Sequence, residues 1–310
     1  MGPISDPRVD KARNPIKEDA AFNVEAPSLA RIIWKEIYTD KVALVALIFF
    51  ITIMTGTMVL GFTIDEDFAR RTYLVLRDQA PSENFFLGTD DGGRDMVAMI
   101  ILGARNSILI GFAVTIVGGI LGIGIGLVSG FYGGHVDNII MRITDTWLML
   151  PTLMIIILFV SLLREYEVWQ FVAILVAFAW MGTTRIMRAM ALQQRNLDYV
   201  SASKTLGTRN IVIMVREVLP NLIPVITVNL TLGLAGNMGV ETGLTFLGFG
   251  LPFGTPSLGL LISMAARPAA LQFRMWQWLP AALLIFTLML SVYCIGQAVQ
   301  RAADVRQRRA

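Results

Sequence analysis

Apolar residues in this chain of 310 residues are gathered in long blocks that alternate with polar stretches. A helix needs about 20 mostly apolar residues to cross the roughly 30 Å hydrocarbon layer of a membrane. Six blocks are long enough, so the pattern predicts an all-α, polytopic membrane protein with six transmembrane helices. The predicted spans are residues 42–62, 106–131, 138–163, 168–187, 221–239 and 276–298.

The polar segments between these spans indicate how the chain is oriented. Lys and Arg concentrate on the cytoplasmic side of membrane proteins. With the N-terminus inside, the inner segments hold 18 of the 26 Lys and Arg residues. We therefore expect both termini and residues 188–220 in the cytoplasm, and the segments 63–105 and 240–276 outside. The predicted organisation is a cytoplasmic tail with an amphipathic interfacial helix (1–41), a transmembrane permease domain (42–300) and a second cytoplasmic tail (301–310).

Two local patterns predict how the spans pack and bend. Gly118, Gly122, Gly126 and Gly130 follow one another at intervals of four residues. Residues four apart share a helix face, so these glycines predict a groove that lets a neighbouring helix approach closely. Pro151 lies inside the third block and is expected to kink that span, because proline removes a helix hydrogen bond.

Composition excludes several classes of function. The chain is 55% hydrophobic and only 16% charged, whereas soluble domains are about a quarter charged. The net charge of +3 provides no broad basic surface for nucleic acid. His135 is the only histidine and Cys294 the only cysteine, which excludes a histidine- or thiolate-rich metal site. We expect no metal and no cofactor on this chain.

Two other kinds of membrane protein can be weighed against the residues. An intramembrane enzyme would need a catalytic set inside the spans, such as Ser with His or a pair of aspartates, and the spans contain neither. An autonomous secondary transporter or channel usually carries coupling-ion charges near the midplane, and these spans are almost free of charge. The stretch GTDDGGRD (88–95) lacks the P-loop pattern and is expected to be a turn that caps the following helix.

The segment 197–221, LDYVSASKTLGTRNIVIMVREVLPN, is polar although it lies between two apolar blocks. Tyr199, Ala202, Ser203 and Leu206 have the spacing of one helix face. Gly207 then interrupts the pattern, as glycine does at a helix end, and a second amphipathic pattern follows. The segment therefore predicts a helix–glycine–helix hairpin whose small residues let another molecule come close. Two interpretations remain open: a docking element, or an interfacial helix that only anchors the loop.

The same segment resembles the cytoplasmic "EAA" loop of bacterial ABC importer permeases. The resemblance lies in the triplet Ser201-Ala202-Ser203, in Gly207 and in Leu219-Pro220-Asn221. Ser201 replaces the acidic first position and Ser203 the second alanine, so the spacing of the glycine and the Leu-Pro carries the match. Four further stretches resemble the C-type permeases of dipeptide and oligopeptide importers: FLGTDDGGRD (86–95), GARNSILIG (103–111), GFYGGHVDNIIMRITD (130–145) and ETGLTFLGFGLPFGTPSLG (241–259).

This resemblance implies a type I ABC importer permease in a bacterial cytoplasmic membrane. The implied partners are a second, homologous permease, two cytoplasmic ATPase subunits that bind ATP and Mg, and an extracytoplasmic substrate-binding protein; no nucleic acid is expected. The chain itself would not be an enzyme. The loop would couple it to an ATPase subunit through Tyr199, Ser201, Ala202, Ser203, Leu206, Gly207, Leu219 and Pro220.

Substrate and pathway are less defined. The resemblance implies peptides, with nickel complexes or another small solute as alternatives within the family. Glu241 is an ionisable residue near the end of the fifth predicted span, and such residues at membrane depth are expensive and often functional. We expect it either to line the translocation path or to hold local structure by hydrogen bonds.

Overall fold

A computed structural model of the chain describes residues 29–307, so residues 1–28 of the predicted tail 1–41 and residues 308–310 of the predicted tail 301–310 lie outside the described residues. The described part is helical, with short turns and loops between the helices and no named strand. The α-helices in chain order are α1 (Leu29–Thr39), α2 (Lys41–Thr63), α3 (Glu66–Arg70), α4 (Met96–Tyr132), α5 (Gly134–Leu148), α6 (Thr152–Leu162), α7 (Val168–Arg195), α8 (Asp198–Thr205), α9 (Asn210–Ile213), α10 (Leu219–Phe246), α11 (Leu258–Ser263), α12 (Pro268–Phe273) and α13 (Leu279–Gln307).

The long helices provide the crossings that the apolar blocks predict. Five are long and apolar enough to span a membrane: α2, α4, α7, the continuous helix Asn210–Phe246 that contains α9 and α10, and α13. The bent pair of α5 and α6 supplies a sixth crossing when it is counted as one span. The prediction of an all-α protein with six spans therefore agrees with the structure.

The second span is longer than the apolar block indicates. α4 begins at Met96, ten residues before the predicted start, and the carboxylate of Asp95 caps it by accepting from the backbone N–H of Val97 at 3.1 Å. Arg105 and Asn106 lie inside this helix. Arg105 donates to the carbonyl of Gly61 at 2.9 Å, and Asn106 donates to that of Pro256 at 2.9 Å. Because these contacts satisfy their polar groups, the helix can include residues that a hydropathy pattern leaves out.

The third span is broken rather than kinked. α5 and α6 meet at an angle of 80°. Pro151 is the N-cap of α6, and its carbonyl accepts from the backbone N–H of Ile155 at 3.1 Å. Proline has no N–H to continue the preceding helix but is compatible with the start of a new one. The predicted bend at Pro151 is confirmed, and the single helix predicted over 138–163 is corrected to two.

The glycine face of α4 lies against α7. A Cβ atom added at Gly122 would lie 2.6 Å from Cβ of Thr183 and 2.7 Å from the carbonyl oxygen of Trp180. Such distances are below any real contact, so the backbones of α4 and α7 approach this closely only because side chains are absent. Cβ atoms added at Gly118, Gly126 and Gly130 would also lie very close to α7. Their nearest atoms would be on Ala179, Thr184 and Arg188, at 3.0, 2.6 and 2.4 Å respectively.

Both ends of the described chain lie at one end of the helical bundle. An amphipathic helix is present as α1 within the segment 1–41, where one was predicted, and its Ile37 is buried with Ala43 and Ala298. Arg301 of α13 pairs with Glu36 at 3.2 Å and with Asp40. The pKa of Asp40 lies below its ordinary value because the backbone N–H groups of Ala43 and Val42, together with Arg301, stabilise the charged carboxylate.

Candidate functional site

The polar segment between α7 and α10 folds into a short helical hairpin, residues 198–218, which we call the hairpin. α8 is its first helix and ends at Thr205. Gly207 follows with φ of +81°, a left-handed conformation that glycine adopts without steric strain. α9 begins the second helix at Asn210. The helix–glycine–helix pattern predicted from the sequence is therefore confirmed.

The inner face of the hairpin is apolar and buried. Val200 on α8 is fully buried, and so are Ile213 and Val218 on the second helix. They form one core cluster with the C-terminal part of α4 and the last turns of α7, so the hairpin is attached to both of these spans. The buried members of this cluster are Leu127, Phe131, Ala191, Val200, Ile213, Met214, Val218 and Leu222.

Polar side chains hold the two arms of the hairpin together. The hydroxyl of Ser203 hydrogen-bonds to Glu217, with both carboxylate oxygens at 2.8 Å. The hydroxyl of Tyr199 donates to Oε1 of Gln194 at 2.7 Å and accepts from Nδ2 of Asn221 at 3.2 Å. A hydrogen bond to a charged acceptor is about twice as strong as one between neutral groups. These contacts make the hairpin a rigid unit rather than a flexible loop.

The outer face of the hairpin is exposed, and its small and aliphatic residues are accompanied by the charged residues Asp198, Lys204, Arg209 and Arg216. Leu206, next to the turn, has 84% of its surface exposed, and Ile211 on the second helix has 57% exposed. The eight residues predicted to contact a partner therefore divide into two groups. Ser201, Ala202, Leu206, Gly207 and Pro220 are exposed, whereas Tyr199, Ser203 and Leu219 are half-buried and lie towards the rest of the chain.

The helix that follows the hairpin continues through Pro220 and Pro224. A single π-turn, Met214–Val218, precedes α10, with the backbone N–H of Leu219 donating to the carbonyl of Met214. Pro220 has no N–H to donate, and Asn221 beside it donates its side-chain amide to the carbonyl of Glu217 at 2.9 Å. The prediction that the span begins at 221 is thus corrected to a helix that enters it from Asn210 without a break.

Sequence reasoning gave no role to three residues that hold the hairpin in place: Val200, Glu217 and Asn221. Glu217 lies 14 positions after Ser203, so their contact depends on how the two arms fold back on each other. Val200 lies between two polar-looking positions of a short helix, and its burial depends on the neighbouring spans. Asn221 directly follows Leu219-Pro220, and its contact with Tyr199, 22 positions earlier, likewise depends on how the arms fold.

Glu241 lies within α10 and is completely buried. Its carboxylate accepts from the hydroxyl of Thr245 at 3.0 Å and from that of Thr242 at 3.2 Å. Ser107 and Ser257, from α4 and the segment before α11, are further hydroxyl-bearing neighbours of this carboxylate. These neighbours match the structural alternative stated for this residue, and its participation in a translocation path stays a prediction.

A large cavity lies beside the hairpin, between α7, α10 and α13. Its volume is about 990 Å³, and polar side chains such as Gln193, Asn221 and Gln300 line it. This cavity shows that the C-terminal part of α13 lies at the hairpin end of the bundle. In the part of the chain from residue 29 to 307, His, Cys, Asp and Glu side chains form no group of three that could hold a metal ion.

A bundle of helices that are long and apolar enough to span a membrane, with an exposed helical hairpin at one end, defines a multi-pass membrane protein. Comparison with known proteins narrows this class. The family model described as "Binding-protein-dependent transport system inner membrane component" matches residues 122–305. The chain belongs to this family.

Individual relatives extend the similarity to nearly the whole chain. The oligopeptide transport system permease protein OppC of Lactococcus lactis subsp. lactis (strain IL1403) is 41% identical over 281 residues, which are 90% of this chain and 96% of the relative. The dipeptide transport system permease protein DppC of Bacillus subtilis (strain 168) is 30% identical over 298 residues, 96% of this chain and 92% of that protein. The inner membrane ABC transporter permease protein YejE of Escherichia coli (strain K12) is 37% identical over 224 residues, 72% and 64% of the two chains.

Proposed function

We propose that this chain is one permease subunit of an ATP-driven importer of dipeptides or oligopeptides. The observation that carries the proposal is the match to relatives named as oligopeptide and dipeptide permeases, which covers at least 90% of this chain and of theirs. Within the complex the chain forms half of the translocation path, and a second, homologous permease forms the other half. A substrate-binding protein delivers the solute at the end of the bundle opposite the hairpin.

We further propose that the hairpin is the element to which an ATPase subunit binds in the cytoplasm. Its exposed outer face provides the contact surface, with small residues at Ser201 and Ala202 and a projecting Leu206. Its buried inner face and the Ser203–Glu217 hydrogen bonds preserve its structure when the ATPase subunit displaces it. A rigid element between two parts that each have two arrangements transmits a displacement instead of absorbing it. ATP and Mg would bind the ATPase subunits, and this chain would take no part in hydrolysis.

Uptake by the reconstituted transporter tests the substrate class. Proteoliposomes containing both permeases, both ATPase subunits and the binding protein are expected to accumulate a labelled oligopeptide only when ATP is supplied. A labelled nickel complex serves as the competing solute from the same family. Accumulation without ATP would contradict the importer, and uptake of nickel but not peptide would contradict the substrate class.

A bulky side chain on the outer face of the hairpin tests the coupling role. The change Ala202→Trp is expected to reduce ATP-driven uptake by at least about fivefold, a typical coupling effect, because the indole prevents the ATPase subunit from approaching. Insertion into the membrane should not change, since Ala202 is exposed. Ala30→Trp is the matched control, because Ala30 is an exposed alanine in α1, which lies at the same end of the bundle. Normal ATPase binding and uptake by Ala202→Trp would refute the assignment.

Peptide uptake and thermal stability together distinguish the two roles considered for Glu241. A role in the path predicts that Glu241→Gln changes the relative uptake of charged peptides while the thermal stability of the chain is unchanged. A purely structural role predicts lower thermal stability with unchanged peptide preference.

A further inference from the structure

The carboxylate of Asp137 connects three helices, α4, α5 and α7. Asp137 lies in the first turn of α5 and is almost fully buried. Its Oδ1 accepts from the hydroxyl of Ser129 on α4 at 2.6 Å and from Nε of Arg188 on α7 at 2.8 Å. Its Oδ2 pairs with Nη2 of the same arginine. The guanidinium group thus binds the carboxylate with two parallel hydrogen bonds, the geometry that gives an ion pair both strength and direction.

A second ion pair connects the same two helices. Nη2 of Arg185 lies 2.8 Å from Oδ1 of Asp145, and both side chains are more exposed than those of the first pair. Arg185 and Arg188 lie within one turn of α7, whereas Asp137 and Asp145 are about two turns apart on α5. Two charges on α7 therefore fix both the position and the rotation of α5.

Ion pairing is an expensive way to attach one membrane helix to another. Burying the carboxylate of Asp137 has a desolvation penalty even though Arg188 keeps a third of its side chain exposed, and apolar residues of similar volume often stabilise a fold as well or better. The best attested reason to retain a buried pair is that it selects one arrangement among several. A helix that must keep a defined position on its neighbour while both move has this requirement.

The hairpin contacts the C-terminal end of α4, two residues after Ser129. Nζ of Lys204 lies 4.9 Å from the ring centre of Phe131 at the end of α4. Val200 packs in the same core cluster as that ring. Nη1 of Arg195, in the last turn of α7, donates to the carbonyl of Tyr132 at 3.0 Å. A displacement of the hairpin therefore reaches the corner between α4 and α5 directly.

From that corner, α5 leads into the broken span. α5 and α6 are joined at the 80° bend and expose a long apolar surface that includes Ile139, Met149 and Met154. Within the described chain, the polar ties of α5 to other spans are the contacts of Asp137 and Asp145. The position of the broken span thus depends on the helix that carries the hairpin.

We propose, building on the function proposed above, that Asp137 and Arg188 are positioning residues that make the broken span α5–α6 follow the hairpin when the ATPase subunits close. Asp145 and Arg185 reinforce this connection. If the Asp137–Arg188 pair only stabilised the fold, its loss would affect assembly and thermal stability. If the pair transmits the movement of the hairpin, its loss lowers the amount of solute transported for each ATP hydrolysed.

The test compares uptake with ATP hydrolysis in the complete reconstituted transporter. Asp137→Asn is expected to insert and assemble, to hydrolyse ATP at near the wild-type rate, and to lower the ratio of peptide uptake to ATP hydrolysis by at least about fivefold. Arg188→Lys keeps the charge but not the paired hydrogen bonds and should give an intermediate ratio. Thr146→Ala removes an exposed hydroxyl that hydrogen-bonds only within α5, and it is the matched control, expected to keep the wild-type ratio. An unchanged ratio in assembled Asp137→Asn overturns the proposal.

A second measurement decides the matter if Asp137→Asn fails to assemble. Spin labels at Val215 of the hairpin and Ile139 of α5, both exposed, report the distance between the two elements after Cys294→Ser removes the native thiol. The distance should stay constant between nucleotide-free and ATP-bound transporters, and a distance that changes with nucleotide overturns the proposal. If the wild type transports no peptide, the substrate proposal fails, whereas this distance still tests whether α5 follows the hairpin.

Discussion

At the scale of single residues, Asp90 shows how one buried carboxylate organises a turn. Its Oδ1 accepts from the backbone N–H groups of Gly92 and Arg94, both at 2.8 Å, and its Oδ2 accepts from Nε of Arg94 at 2.6 Å. The turn leads to Asp95, which caps α4. The acidic stretch 88–95 is thus a structural turn, as the sequence predicted. Its neighbour Asp91 has a different environment, since it pairs with Arg267 near the surface.

Asp90→Asn is expected to lower the free energy of unfolding by about 2 kcal/mol, because a neutral amide with two donors cannot accept the three hydrogen bonds that the buried carboxylate accepts. Asp91→Asn is the matched control and should cost less than about 1 kcal/mol, the usual value of an exposed ion pair. Thermal unfolding of the two purified variants in detergent measures the difference. Equal melting temperatures would show that Asp90 does not organise the turn.

At the scale of elements, the contact between α4 and α7 depends on glycine at regular positions. A Cβ atom at Gly122 would collide with the carbonyl oxygen of Trp180, which cannot rotate away. Gly124, two residues further, has no atom within 4 Å of an added Cβ and lies on the exposed side of the same helix. The two glycines are therefore chemically identical but opposite in environment.

Gly122→Ala should destabilise the chain by roughly 1–3 kcal/mol, the cost of overpacking a close contact. Gly124→Ala should leave stability unchanged or raise it by up to about 1 kcal/mol, since alanine favours the helix. Thermal unfolding in detergent would show opposite shifts for the two variants. Shifts of the same sign and size would refute the close approach of α4 and α7.

At the scale of the whole molecule, the chain has two distinct ends. The hairpin, α1 and the C-terminal part of α13 lie at one end, joined by Arg301 and by the cavity that Gln193 and Gln300 line. The segments before α4 and before α13 lie at the other, where Gln277 donates to Asp78 at 2.9 Å and Arg274 pairs with it at 2.8 Å. This arrangement requires an even number of crossings between α1 and the end of α13.

Reporter fusions test this arrangement. Fusions at residues 75 and 205 are expected to label opposite sides of the membrane, with residue 205 in the cytoplasm. A fusion after residue 307 should give the same side as residue 205, because α13 ends beside the hairpin. Labelling of residues 75 and 205 from one side would rule out six spans.

Much of the fold could be predicted because a lipid environment leaves the chain few options. Every span must be apolar over about 20 residues, so the number of crossings can be counted from the sequence. The hairpin was equally visible, since Gly207 and two short amphipathic patterns are local signals. The start of α4 was missed by ten residues because Arg105, directly before the predicted start, is satisfied by the carbonyl of Gly61, which lies 44 positions earlier in the chain. The continuous helix through Pro220 was missed because no sequence pattern indicates the π-turn directly before it, in which Leu219 donates to the carbonyl of Met214.

The sequence by itself determined the class of protein, the number of spans, the bend at Pro151 and the helix–glycine–helix form of the hairpin, because each follows from hydropathy or from the backbone limits of proline and glycine. Only the tertiary structure decided which face of the hairpin is exposed, that Glu241 is enclosed by hydroxyl groups, and that Asp137 is bound by Arg188. Those two residues are 51 positions apart. Their contact depends on the rotation of α5 and α7 about their own axes, and that rotation is set by the packing of all the neighbouring helices together.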